Sequence, residues 1–534
     1  MNSGEKYLLL RVIKKAPSTL IICIGLICAV YLIIGLIYRP IIFNDAIHGY
    51  ISLHNYLAGG GWNKLLYFNN NASELDSQNL TWRAPGQYEL PYLTAKLFNC
   101  NIGVAISILS FISITCGSYF YCKIFEISSL PKSIILIALL ILLLQRFINI
   151  SFILFSSSDL FLFLYTPLYV YTYLKAKDGV KYYWLNLIAF LFINLLGLFI
   201  KNGFLLFSTA YNFYLIIDLV LAYRKSKKQI AIIPLIKRAT IIAPYLISVV
   251  LVYWFFLRLG SNPTSGAGFL INFPSLVSGA FQGSLGVFFS ALSVTAVYGN
   301  VQGKLTSINP YVTVLMLLFL VILAFLIYQN RRNIKTMLKT DGMFRLIFII
   351  SIMYIIYWIV FTLKQSYISN EDRLFLPVTI LVFPYLINYT LKANKFVKYV
   401  AFVIIFLSVV YGGSTMYYRI ITYSSDSMSA NSADNELNGF KLFTHQTNEV
   451  AQLNVISRII SKSYQNEKII TTDPDGLFLL NLKNQYITTG TVNIPVVIRD
   501  HKKYLLLVSK TEKVNLEGWR SVYTSDNYVL YLSN

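Results

Sequence analysis

The chain has 534 residues, 56% of them hydrophobic and only 13% charged, with a mean hydropathy of +0.60. A soluble globular protein carries roughly 25% charge, so the soluble classes are excluded and this is an integral membrane protein. The net charge of +22 does not mark a nucleic-acid binder: 23 Lys and Arg fall in the loops assigned below to the cytoplasm, against four acids, while the tail from Arg419 balances 12 basic with 11 acidic residues.

A bilayer core about 30 Å thick takes ~20 apolar residues as a helix. Eleven stretches qualify: Ser18–Tyr38, Ile102–Tyr121, Ser133–Ile148, Asp159–Leu174, Trp184–Ile200, Phe204–Tyr223, Ala239–Leu257, Val312–Tyr328, Leu346–Leu363, Leu374–Leu391 and Tyr399–Tyr418. The first lacks a small-residue cleavage site and reads as a retained helix rather than a signal peptide. Lys6, Arg11, Lys14 and Lys15 precede it, and every second loop after it is basic. Those loops carry Lys175, Lys177 and Lys181; Arg224 to Arg238; Arg331 to Arg345; and Lys392 to Lys398. Basic loops face the cytoplasm. Eleven spans then put the N-terminus inside and the tail outside. The sequence predicts a polytopic α-helical membrane protein with about 11 transmembrane helices and a small extracytoplasmic α/β domain.

Between the first two spans runs a long outer loop, 39–100. It holds Asn44-Asp45, His48, Tyr50, Gly59-Gly60-Gly61-Trp62 and Trp82-Arg83-Ala84-Pro85-Gly86. The glycines lack the Lys-Ser/Thr of a phosphate loop and read as a bend. Glu74, Asp76 and Glu89 read as solvated loop charges. The segment from about Gly260 to Pro310 has no charge before Lys304 and is expected to hold interfacial or re-entrant helices. The domains divide as 1–418 in the membrane and 419–534 outside. In the tail, 426–436 is linker-like and 447–464 has helical apolar spacing. Strands are predicted at 468–472, 485–489, 504–509, 521–524 and 528–532, with a turn at Asp473-Pro474-Asp475-Gly476. Five cysteines without metal or disulfide spacing add no framework.

Nucleotide, serine-hydrolase and zinc-protease motifs are missing. What remains is a set of ionisable groups at one membrane face: Asp45 after span one, Asp159 opening span four, Lys201 closing span five, and Glu371, Asp372 and Arg373 before span ten. A carboxylate there can take a proton from a hydroxyl, and a lysine or arginine can hold a phosphate. Each has a plainer role as well. Asp159 after three serines suits a helix N-cap, Lys201 suits a snorkelling lysine, and Arg373 suits a local ion pair. Asp45 is harder to explain so, since a neutral Asn or Ser caps at less cost. His48 and His54 lie near it without a further clear metal ligand.

Asp45-Ala46-Ile47-His48-Gly49-Tyr50 after the first span resembles the GT-C glycosyltransferase superfamily. So do Pro85-Gly86-Gln87-Tyr88-Glu89-Leu90-Pro91, the Ser157-Ser158-Asp159 start of span four, Lys201, Glu371–Pro377 and the outside α/β tail. The resemblance implies a polyprenyl-phosphate sugar donor, a glycan, lipid or protein acceptor, and inverting transfer on the non-cytoplasmic face. It implies Asp45 as general base and Asp159 as the second acid. It makes Lys201 and Arg373 the donor-phosphate ligands, with His48, Tyr50 and Glu371 on the acceptor side. Many members pair two acids in the first loop, whereas Asn44 and Ala46 flank Asp45 here, which weakens the case for a divalent cation; metal dependence is left open. Two other classes stay in view. A polymerase or ligase of diphosphate-linked glycans would have arginine-rich outer loops, and a transporter or flippase would have charges within the bundle and internal repeats.

Overall fold

The computed structural model describes residues 17–37, 41–42, 44–67, 76–80, 84–128, 130–145, 148, 159–178, 182–201, 203–225, 239–256, 258, 273–291, 310–364, 375–392, 395–425, 436–437, 440–442, 447–471, 482–488, 502–510 and 517–534. In chain order these form α1 (Pro17–Ile37), β1 (Ile41–Ile42), α2 (Asn44–Leu57), β2 (Lys64–Tyr67), β3 (Asp76–Asn79), α3 (Gly86–Phe98), α4 (Ile102–Phe125), α5 (Lys132–Leu144), α6 (Asp159–Asp178), α7 (Tyr183–Ile200), α8 (Phe204–Lys225) and α9 (Ile242–Phe255). There follow α10 (Phe273–Ala291), α11 (Pro310–Gln329), α12 (Arg331–Thr340), α13 (Gly342–Lys364), α14 (Leu376–Lys392), α15 (Lys395–Ser425), β4 (Glu436–Leu437), β5 (Phe440–Leu442), α16 (Thr447–Ser463), β6 (Lys468–Thr471), β7 (Tyr486–Thr488), β8 (Tyr504–Ser509), β9 (Trp519–Thr524) and β10 (Tyr528–Ser533).

Each of the eleven apolar stretches coincides with a helix. Among the described residues five segments are long and apolar enough to cross a membrane: Pro17–Ile37, Ile102–Phe125, Tyr183–Ile200, Phe204–Leu221 and Gly342–Val360. The chain is a polytopic helical membrane protein. Other apolar helices are shorter for local reasons. α5 follows Pro131, which lacks an N–H, and stops where Gln145 turns extended. Gln145 is buried and accepts a 2.7 Å hydrogen bond from Ser408 of α15. The uncharged segment after span seven holds α10, packed into the bundle. A Cβ at Gly279 or Gly283 would lie 2.8 or 2.7 Å from the Cα of Ile359 or Ile355 on α13. Small residues four apart let two membrane helices approach at backbone distance.

Side-chain contacts fix which loops share an end of the bundle. Lys177 of α6 and Arg345 of α13 both meet Asp218 of α8, at 2.8 and 3.2 Å. Asp341 caps α13 by accepting from the Met343 and Phe344 N–H groups and takes the Tyr385 hydroxyl of α14 at 3.0 Å. Three of the loops read as basic therefore meet at one end.

Strands from the first outer loop and the tail form one seven-stranded sheet, in the order β3-β2-β7-β6-β8-β10-β9. β2, β7, β6 and β8 run parallel; β3, β10 and β9 pair antiparallel. β1 likewise pairs with β5. The sheet's alternation fits its burial. Leu505, Leu507, Leu530 and Leu532 join the core that takes Leu453, Ile456 and Ile460 of α16, while Leu506, Val508 and Val529 build the opposite face with Ile470 and Ile487. The tail helix and the five tail strands that the sequence predicts sit within two residues of their expected places, while β4 and β5 were not predicted and β4 opens at Glu436, the last residue read as linker; the Asp473–Gly476 turn lies outside the described residues.

Candidate functional site

The site is built around the turn at Pro85-Gly86. α2 opens at Asn44 and carries Asp45 in its first turn. One turn on, Gly49 seats against the Tyr88 ring: a Cβ would stand 2.3 Å from it. Tyr50 meets the same ring edge-on, with centroids 6.4 Å apart, and the Tyr88 hydroxyl donates to Asn63 Oδ1. Tyr88 belongs to the first turn of α3. In that turn Gly86 rests on the end of α7, where a Cβ would come within 2.9 Å of the Phe199 carbonyl and 3.0 Å of the Ile200 side chain. Only glycine permits that approach.

Lys201 follows directly and ends α7. Its backbone is extended, its N–H reaches the Gly197 carbonyl at 2.9 Å, and its carbonyl takes the Phe204 N–H at 2.9 Å. The side chain is half-buried. The Phe204 ring packs edge-on against Tyr165 and Tyr169 of α6, the helix that Asp159 opens. One run of contacts thus joins the helices that start with Asp45 and Asp159 to the turn that holds Lys201. His48 lies half-buried on α2, and Tyr50 is buried. Glu371 and Arg373 lie outside the described residues. The next described residue, Phe375, stacks on Trp358 at 4.9 Å.

An apolar groove of about 510 Å³ lies between α7, the helix that Lys201 ends, and α9. Its walls are Phe192, Leu196 and Phe199 of α7 and Val252 and Phe255 of α9, and Trp62 and Pro85 also line it. Arg258, just past α9, stacks over Trp254 with its guanidinium 4.5 Å from the ring centre. Each wall helix therefore ends in a cation.

Glu89 departs from the sequence expectation of a solvated loop charge. It is half-buried in the first turn of α3 and accepts the Trp62 indole N–H at 2.6 Å. Burial raises its pKa above the usual carboxylate value, against the lowering effect of that hydrogen bond. Glu89 and Arg258 are the groups that sequence reasoning left out. The signal for Glu89 was present, since a proline followed by an acid within one turn marks a helix start. Its burial was not, because Trp62 is 27 positions away. Arg258 follows the logic of Lys201, a lone cation ending an apolar run. The glycines 59–61 do form a bend, with Gly59 at φ +85° after the end of α2. Among the described residues no three His, Cys, Asp or Glu side chains gather to hold a metal ion.

A second cavity, of about 460 Å³, lies between the far halves of α2 and α3 and the tail strand β7. The joint beside it is hydrogen-bonded throughout. Asn55 donates to the Tyr486 carbonyl at 2.9 Å and accepts its N–H at 2.8 Å, Gln485 donates to the Ala58 carbonyl at 3.2 Å, and His54 donates to the Asn484 carbonyl at 3.0 Å. The His54 ring stacks on Tyr486 at 4.6 Å, and burial lowers its pKa, only partly offset by the Asn484 bond.

Fold and site together define a class: a polytopic membrane protein whose first extramembrane loop is built into a C-terminal α/β sheet. No protein-family model and no curated protein matches the chain. The likeness lies among solved structures. ArnT from Cupriavidus metallidurans in the apo state aligns over 97% of this chain and 98% of its own, with a TM-score of 0.50 and 11% identity. ArnT from the same organism bound to undecaprenyl phosphate aligns over 96% and 97%, at 0.48 and 10%. Arabinofuranosyltransferase AftD from Mycobacteria aligns over 96% of this chain and 40% of its own, at 0.45 and 8%. The apo ArnT alignment shows a shared fold over essentially the whole chain.

Proposed function

We propose that the protein is an integral membrane glycosyltransferase that moves one sugar from a polyprenyl-phosphate carrier to an acceptor outside the cytoplasm. The observation that carries this reading is the Pro85-Gly86 turn seated on Phe199 and Ile200, directly before Lys201, with Pro85 and Phe199 both lining an apolar groove. An anionic lipid needs both parts: apolar walls for its chain and a cation at the mouth for its phosphate. The fold shared with ArnT, a protein also solved with undecaprenyl phosphate bound, supports the same class of donor.

In this scheme Asp45 takes the proton of the acceptor hydroxyl. The acceptor oxygen bonds to the anomeric carbon from the face opposite the phosphate. The bond from that carbon to the phosphate oxygen breaks, its electron pair leaves with the polyprenyl phosphate, and the configuration inverts. Lys201 and Arg373 stabilise the charge that grows on the leaving group. Asp159 orients the acceptor, with His48, Tyr50 and Glu371 around it. Glu89 supports a second assignment of the base, because a half-buried carboxylate with a raised pKa holds a proton nearer neutrality. No nucleotide enters the scheme.

The loop contacts support the orientation. The segment after span one shares a sheet with the tail, so an even number of crossings separates them, as eleven spans require. The chain then divides into a membrane part, 1–418, and an extracytoplasmic part, 419–534, with 64–79 lending two strands to the latter. The N-terminus faces the cytoplasm. The test is transfer from radiolabelled polyprenyl-phosphate sugars by the purified full chain in nanodiscs. The reading requires transfer by the wild type and its loss in Asp45→Asn; vectorial lipid movement without transfer refutes it.

A further inference from the structure

The cavity behind α2 has a lining of which the proposed chemistry uses Tyr50 alone. Tyr50 and His54 of α2, Tyr92 of α3 and Tyr486 of β7 supply four rings, and Lys96, Asn99 and Asn101 supply polar ends. Among the described residues no carboxylate lines it. Its volume of about 460 Å³ lies within the range of roughly 300–1,000 Å³ of small-ligand sites. Two of the polar residues are positioned by the end of α3 and the start of α4. Asn99 is held in the left-handed region, φ 49°, as the cap of α3, and Asn101 Oδ1 is taken by the Val104 N–H at 2.8 Å, which leaves its amide nitrogen as the donor. Tyr486 is held from two sides, by the Asn55 pair and by the His54 stack.

Aromatic faces with amide and ammonium donors beside them match one chemistry well. A pyranose presents a C–H face that packs on a ring and a rim of hydroxyls that exchange hydrogen bonds with amides. The location agrees. α4 begins at Ile102, on the cavity wall, and enters a membrane-spanning helix. Leu93, Leu97 and Phe98 of α3 are exposed, as expected of a helix lying at the bilayer surface. A sugar carried by a membrane-anchored molecule would stand at this height.

We infer that this cavity is a saccharide subsite that holds the acceptor glycan, so that the first loop and the tail sheet clasp the acceptor while α2 presents its N-terminal turn to the reaction. The inference rests on the glycosyltransferase reading, yet its test reads binding alone. The full-length protein in nanodiscs is applied to an array of defined bacterial surface oligosaccharides. We expect retention of one saccharide class, and at least a tenfold weaker signal for Tyr92→Ala. Cys100, also on the lining, gives a second measurement that needs no variant of the aromatic set. The retained saccharide at saturation slows its alkylation by N-ethylmaleimide at least threefold, counted against Cys100→Ser. Retention of no saccharide, equal retention by a folded Tyr92→Ala, or unchanged Cys100 alkylation overturns the subsite. Loss of transfer in Asp45→Asn has no bearing on these readouts, so the two proposals fail separately.

Discussion

The two ends of the helical bundle handle charge in opposite ways. At one end Asp218 is held between Lys177 and Arg345, all three largely buried, with side-chain exposures of 15%, 11% and 18%. Charge there is neutralised within the protein, which ties three helices together. About 21 Å away along α8, by helix rise, Lys201 and Arg258 end the helices that wall an apolar groove, and Trp62 of its lining is hydrogen-bonded to Glu89. The first arrangement is what stability requires. In the second, Lys201 and Glu89 are half-buried and Arg258 is exposed, and the proposed function gives them a ligand to meet. Substitutions at the two ends are therefore expected to separate folding from function.

The largest effect is expected at Asp45. Removing a general base typically costs about 10²–10⁴ in rate, so Asp45→Asn should lower kcat by that factor and leave the unfolding temperature within error. Glu89→Gln, run beside it, assigns the base: whichever variant keeps more than about a tenth of wild-type kcat is excluded from that role. Next comes the opposite end. Asp218→Ala leaves two buried cations without their anion, an arrangement that costs about 3–5 kcal/mol. Thermal unfolding in detergent should fall sharply, while transfer per folded molecule at low temperature stays near wild type. If kcat falls and stability holds, the contrast between the two ends is wrong.

Lys201→Ala should do the reverse. A charge-assisted hydrogen bond contributes about 1.5–3 kcal/mol, so the donor KM should rise about 10- to 100-fold with little change in unfolding temperature. An unchanged donor KM would reduce Lys201 to a snorkelling lysine.

How much of this was legible beforehand follows from the range of the forces involved. Helices announce themselves by apolar runs, and α16 with strands β6 to β10 by local periodicity, so those positions were read within a few residues. The pairing of Leu66 with Ile487 could not be read so, because it joins residues more than 400 apart. β3, Asp76-Ser77-Gln78-Asn79, has no strand-forming residue at all and exists because β2 offers it an edge. Asp45, Asp159 and Lys201 stood out because charge beside a bilayer is costly. The convergence of their helices depends on Gly49 and Gly86, whose value lies in the side chain they lack.

The joint between the first loop and the tail should be weaker than either end. Asn55→Ala strips the partners from a buried N–H and carbonyl of Tyr486, at about 1–3 kcal/mol for each group left unsatisfied. The expected result is faster hydrogen exchange across β7 and α2, with α13 and α14 unaffected. Equal loss of protection in those membrane helices would mean that the joint is not a separate unit.

The smallest effect expected is a pH dependence at the same joint. His54 is held neutral by burial between α2 and Tyr486, with its pKa below the unfolded value of roughly 6.5. The unfolded joint therefore binds the proton more readily than the folded one. The stabilisation is fully present above the unfolded pKa and declines as pH falls from there toward the lower folded value. Amides of 54–60 and 484–488, corrected for intrinsic exchange, should lose protection between about pH 7.5 and about pH 5.5. His54→Phe keeps a ring to stack on Tyr486 but cannot take a proton. It gives up the bond to the Asn484 carbonyl, so its protection should be lower than wild type at the higher pH and flat across the range. A pH dependence that survives in His54→Phe would move the titrating group elsewhere in the joint.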